Sequence, residues 1–205
     1  GAAGRETVQP WKASDDPAEI GPVDVIVFGV KGDALPDAAR ACLPMLGPDT
    51  LVIPFLNGVE ASDRLLEILP EQHVATGVAK VSTTISAPGV ITQTGAFNSF
   101  IFAERDSRPS ARIAAFQAAI NDAGSSAPHT DDVQRELWWK FALFSALSGI
   151  TATARCTVGD MLENPALKDM SKAVLAETVA LGRAKGVALE PGIEGRIWDA
   201  LEALP

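Results

Sequence analysis

Apolar positions follow two different rhythms along this chain, and the change from one to the other is its main organising signal. VDVIVFGVK (residues 23–31) is a continuous β-branched and apolar run, as expected of a strand buried on both faces of a parallel sheet. ALPDAARACLPML follows with helical spacing, and GPDT ends it. LVIPF (51–55) predicts a second buried strand, followed by NGV (57–59) and a helical EASDRLLEIL that begins beside Ser62 and Asp63. Strand, helix, strand, helix in this order predicts right-handed βαβ units and a parallel sheet. Residues 73–104 are rich in Val, Ile, Thr and Phe with Pro88-Gly89 as a turn, which predicts two or three strands, some antiparallel. Residues 110–124 predict an amphipathic helix stopped by Gly124, and SAPHT a short final strand.

From Asp131 onward everything reads as helix. Thr130 or Asp131 is expected to cap the first one. A later helix has Asn164 as N-cap, Pro165 at its first position and Gly186 just past its end, and PGIEGRIWDALEALP starts another. The composition therefore shifts near residue 130, from mixed α/β (1–129) to all-α (130–205). Residues 1–20 are polar and irregular, and no internal repeat occurs.

Composition narrows the function classes. The 205 residues carry a formal net charge of −9 and a pI near 4.7, which disfavours nonspecific binding to nucleic acid or anionic membrane. Cys42 and Cys156 lie far apart with no CxxC, as suits unpaired thiols in a reducing cytoplasm. His73 and His129, the two histidines, lack nearby metal-type partners, so no metal site is expected. The stretch 137–154 is marginally long enough to span a bilayer, but Lys140, Ser145, Ser148 and Thr151 interrupt it, and a buried helix is expected instead.

Three places could carry chemistry. Lys31 and the NGV turn follow two adjacent predicted strands at their carboxyl ends, where open parallel sheets bind ligands. A solvated lysine and an ordinary Asn-Gly turn are the alternatives. The third is Lys140, the one charge between Leu137 and Ala154. On a single helix Lys140, Phe144, Leu147, Ser148 and Thr151 share a stripe. Either Lys140 pairs with Glu136 at i, i+4 and its stem snorkels to water, or its ammonium lies in a cleft between two domains. A partly desolvated lysine has a lowered pKa and can protonate a forming oxyanion.

DVIVFGVK, GPDTLVIPFLNGVE, PGVITQTG, ELWWKFALFSALSGITA and TVGDML occur in the order seen in ketopantoate reductases, the 2-dehydropantoate 2-reductases. The chain resembles that family from about residue 20 to its end. The resemblance implies an α/β plus all-α fold. Residues 1–129 would form an incomplete Rossmann-like NADP-binding domain, and 130–205 a truncated helical domain like the C-terminal domain of 6-phosphogluconate dehydrogenase. It implies NADPH-dependent reduction of a 2-oxo acid, with Lys140 as general acid. Lys31, Asn57 and Thr83 would contact the cofactor, and Asn57 and Ser148 the substrate. It also implies a cytoplasmic enzyme of pantothenate biosynthesis, with a homodimer as the expected assembly if the chain associates.

The chain departs from the family where asparagines one and two turns after the lysine hold the substrate: here stand Phe144 and Ser148. An apolar ring cannot replace an amide that binds a hydroxyl, so ketopantoate itself is not the expected substrate. The family's glycine-rich strand-to-helix turn has no counterpart, since GAAG at the start precedes no suitable helix, and a C-terminal acidic segment is also missing. The expectation is an internal part of a longer protein that by itself binds NADPH weakly. The alternatives are a related NADP-dependent hydroxy-acid dehydrogenase and a degenerate homologue that binds a nucleotide or partner.

Overall fold

The computed structural model describes residues 12–204, so the GAAG segment lies outside the described residues. Strand β1 (Val23–Phe28) pairs in parallel with β2 (Leu46–Pro54), with helix α1 (Leu35–Ala41) as the crossover. Val25 lies opposite Leu51, and Phe28 opposite Pro54. Helix α2 (Ala61–Leu66) follows, then a long antiparallel hairpin of β3 (Ala75–Ala87) and β4 (Val90–Glu104). A parallel bridge between Val52 and Val74 seats the hairpin beside β2.

Side-chain alternation sorts this half into layers. Ile26, Phe28 and Val52 point to one side and pack with Leu35, Ala39 and Leu65 of α1 and α2. Leu51 and Ile53 point to the other, where Phe102 of β4 and Ile113 of α3 (Ala111–Asp122) close the core. Beneath α3 the rings of Phe55 and Phe102 meet edge to face at 6.0 Å. The C-terminal half is helical: α4 (Val133–Ala154), α5 (Val158–Glu163), α6 (Pro165–Ala184) and α7 (Ile193–Glu202) surround one core of residues such as Trp138, Ala142, Met161, Val179 and Ile197. The architecture is the expected α/β half followed by an all-α half.

Several local expectations are corrected. Strand β1 stops at Phe28 rather than Lys31, and β2 begins at Leu46 rather than Leu51, taking in residues 47–50, where Thr50 Oγ1 donates across to the Val23 carbonyl and accepts the Gly47 N–H. The segment 126–130 contributes one bridge, Ser99 to Ser126, instead of a strand. The cap of α4 is Asp132, whose carboxylate accepts the Arg135 N–H at 2.9 Å; a carboxylate there also suits the positive end of the helix. No helix among the described residues is long and apolar enough to cross a membrane. The apolar length of α4 is spent on two protein cores: Leu137 packs with Val78 and Ile101 of the hairpin, while the next residue, Trp138, enters the helical core.

Close packing of α6 on α4 sets the position of Trp138. A Cβ on Gly182 would lie 2.7 Å from Leu189 Cδ1 and 2.8 Å from Trp138 Cε3. Gly182→Ala is expected to destabilise the fold by about 1–3 kcal/mol despite the better helix propensity of alanine, as urea unfolding would measure. A stabilised variant would show that α6 can move away from α4 freely.

Candidate active site

Lys140 sits about two turns into α4, on the side facing the hairpin. Its Nζ donates to the Ala79 carbonyl oxygen at 2.8 Å and to Asn57 Oδ1 at 3.0 Å. Ala79 belongs to β3, and Asn57 to the loop that leaves the carboxyl end of β2. One ammonium thus joins the helical half to two parts of the sheet half. The Phe144 ring lies one turn further along α4, its centroid 5.7 Å from Nζ, within cation–π range.

No carboxylate balances this charge within 4 Å among the described residues. The Glu136–Lys140 pair left open by the sequence does not form, because Glu136 Oε2 accepts instead from Lys80 Nζ at 2.9 Å. Burial lowers the pKa of Lys140 below the ordinary lysine value of 10.5, and the nearby positive charge of Lys80 adds to the effect. The ammonium is held by neutral oxygens alone, so it keeps its shape and orientation but loses part of its hold on the proton.

The structure brings Lys140 and Asn57 together, and sets Phe144 beside them. It does not bring the other sequence-derived positions into hydrogen-bond contact with Lys140. Lys31 is exposed past the end of β1, its carbonyl accepting the Ala34 N–H in a turn. Thr83 is exposed on β3 opposite Gln93, further out along the hairpin than Ala79. Ser148 Oγ donates back to the Phe144 carbonyl at 2.6 Å, and Thr151 does the same to Leu147 at 2.8 Å. Both stripe hydroxyls have thus committed their hydrogens to their own helix.

A cavity of about 330 Å³ adjoins this group. Its walls are the loops that follow β1 and β2, including Gly32, Asn57 and Gly58, together with Trp138 and Phe141 of α4 and Leu181 of α6. Asn57 therefore serves both features: it lines the cavity and accepts from Lys140. Arg64 and Lys185 stand at the cavity wall and form no ion pair among the described residues. Sequence reasoning missed both, since a basic residue on a short helix or at a helix end reads as solvated surface. It also missed Lys80 and the Ala79 carbonyl. Among the described residues no three His, Cys, Asp or Glu side chains gather as metal ligands.

Comparison with known proteins agrees with this architecture. Residues 1–107 match the family profile described as ketopantoate reductase PanE/ApbA, and residues 132–205 match that of its C-terminal domain. The chain belongs to the ketopantoate reductase family. It is 24% identical to the "uncharacterized oxidoreductase YkpB" of Bacillus subtilis (strain 168), over 91% of this chain and 61% of that protein. It is likewise 24% identical to a 2-dehydropantoate 2-reductase of Mesorhizobium japonicum, over 96% of this chain and 66% of the relative. The chain thus spans about three fifths to two thirds of the length of these curated relatives. The crystal structure of 2-dehydropantoate 2-reductase from Porphyromonas gingivalis W83 superposes with a TM-score of 0.86 at 26% identity, covering 93% of this chain and 66% of that one.

The depressed lysine has a signature in stability. Below its folded-state pKa, Lys140 is charged in both folded and unfolded protein, and the fold carries the full cost of the partly buried ammonium. Between that pKa and 10.5 the unfolded chain holds more protons, so unfolding becomes less favourable as pH rises. Urea unfolding of wild type and Lys140→Met should therefore diverge with pH, with wild type gaining on the variant toward 10.5. A constant difference across that range would mean the ammonium is fully hydrated.

Proposed function

We propose that this chain is part of an NADPH-dependent reductase of a 2-oxo acid, in which Lys140 is the general acid. The observation that carries the reading is the Lys140 ammonium itself: half-buried, unpaired with any carboxylate among the described residues, and held by Asn57 and Ala79 beside a cavity at the carboxyl ends of the parallel strands. An ammonium has three N–H donors. Two are engaged by Asn57 and Ala79, which leaves the third for a substrate carbonyl oxygen. As negative charge gathers on that oxygen, Lys140 gives up its proton and becomes a neutral amine, a change that its partial burial makes easier. The carbonyl becomes a hydroxyl, and solvent restores the proton to Lys140.

The residues present fit one end of a dinucleotide. Gly58, at φ +97°, has nothing within 4 Å of where a Cβ would stand, so a ligand can approach its backbone closely. Arg64 and Lys185 offer positive charge to a phosphate, and about 330 Å³ lies at the small end of ligand-pocket volumes. When bound, NADPH supplies the hydride that reduces the carbonyl carbon. In this reading Lys31, Asn57 and Thr83 contact the cofactor, while Asn57 and Ser148 meet the substrate. With its hydrogen committed to Phe144, Ser148 can only accept from that substrate.

Phe144 bears on which 2-oxo acid. Its ring is 47% exposed beside the ammonium, and it offers a hydroxyl no partner. A substrate with an apolar substituent is favoured over the hydroxylated ketopantoate.

In the full-length protein Lys140→Ala should lower kcat about a hundredfold or more while NADPH binding survives, as steady-state kinetics and fluorescence titration would show. In wild type, kcat/KM should fall as pH rises through the Lys140 pKa, at a pH below 10.5, because the protonated form is the active acid. Near-normal turnover by Lys140→Ala would dispose of the assignment. Phe144→Asn should raise kcat/KM for 2-dehydropantoate relative to the same acid lacking its hydroxyl; an unchanged ratio would remove Phe144 from the substrate site.

A further inference from the structure

Glu136 precedes Lys140 by four residues on α4, the spacing at which a glutamate and a lysine ordinarily pair. The pair is prevented by Lys80. Ala79 and Lys80 are consecutive on β3 and treat α4 in opposite ways: the Ala79 carbonyl accepts a hydrogen bond from Lys140, while the Lys80 ammonium donates one to Glu136 at 2.9 Å. The Lys80 and Glu136 side chains are 28% and 29% exposed, shielded enough that an unpaired carboxylate there would seek a cation. Lys80 is also fixed from behind by the Trp139 ring, 5.3 Å from its Nζ.

The other cations that line the same cavity are already paired. Arg135 and Arg196 line the same cavity of about 420 Å³, but Arg135 pairs with Asp131 at 2.7 Å and Arg196 with Glu190. Of the charged groups around Lys140, Lys80 comes from β3 and Glu136 from α4, and the loop after β2 contributes only the neutral Asn57.

We propose that Lys80 is a positioning residue: it captures Glu136, and so leaves Lys140 without a counter-ion and aimed at Asn57. The proposal rests on the reading of Lys140 as the acid, though its electrostatic core does not. Without Lys80, Glu136 turns to Lys140, one helical turn along α4. An opposite charge at that distance stabilises the protonated lysine and draws Nζ off Asn57. The acid then becomes both weaker and misplaced.

The test uses the full-length protein and three variants: Lys80→Met, Lys80→Arg, and the double variant Lys80→Met/Glu136→Gln. Methionine keeps the apolar stem against Trp139, which protects the fold. The pH dependence of Lys140 acetylation by acetic anhydride, followed by peptide mass spectrometry, reads its titration without any need for turnover. Lys80→Met should move that midpoint upward and lower kcat about tenfold to a hundredfold. Lys80→Arg should behave as wild type, and the double variant, which has no carboxylate left to capture, should recover kcat and bring the midpoint back toward wild type, short of it only by the lost positive charge of Lys80. A merely structural ion pair would leave the double variant as impaired as Lys80→Met, and that result overturns the proposal, as does an unmoved midpoint in Lys80→Met. If acetylation shifts and recovers as expected but no 2-oxo acid oxidises NADPH, the capture of Glu136 stands and the reductase reading falls.

Discussion

A positive charge without a negative partner is the constraint around which this molecule is arranged. Taking an ammonium partly out of water is unfavourable unless its donors are satisfied, and the cheapest satisfaction is a carboxylate. The chain places a carboxylate at the right helical spacing and then diverts it to Lys80. Lys140 is left with a backbone carbonyl and a side-chain amide, which direct the ammonium yet neutralise nothing. A partly buried charge left unpaired in this way is typical of sites that trade protons, which is the role proposed for Lys140.

The three elements that meet at Lys140 are each held by ordinary packing. Helix α4 is pinned by Leu137 and Trp138 in two different cores, and β3 is fixed by its ladder with β4. The Asn57 loop hangs from β2, whose Leu51, Val52 and Ile53 are fully buried. Little freedom remains for the ammonium to find water or a different partner.

Much of the fold was legible in the sequence because it rests on short-range periodicity. The two β-branched runs gave β1 and β2, and Asn164, Pro165 and Gly186 marked the ends of α6 by cap chemistry alone. Boundaries were misjudged where a side chain from elsewhere decided them, as when Thr50 reached Val23 and extended β2 backward. The candidate site was half legible. Lys140 and Asn57 announced themselves as polar residues in apolar settings. The Ala79 carbonyl has no sequence signature, and Lys80, 56 residues before its partner Glu136, looked like any strand lysine. The resemblance implies that Ser148 meets the substrate but says nothing of its hydrogen, which a serine inside a helix commonly returns to the preceding turn, as it does here.

Helix α4 roots neighbouring residues in separate cores, Leu137 among strand side chains and Trp138 among helices. Melting either half would strip packing from a rod that the other half also needs. The molecule should therefore come apart in a single concerted step, with no stage at which a surviving half keeps a native lysine.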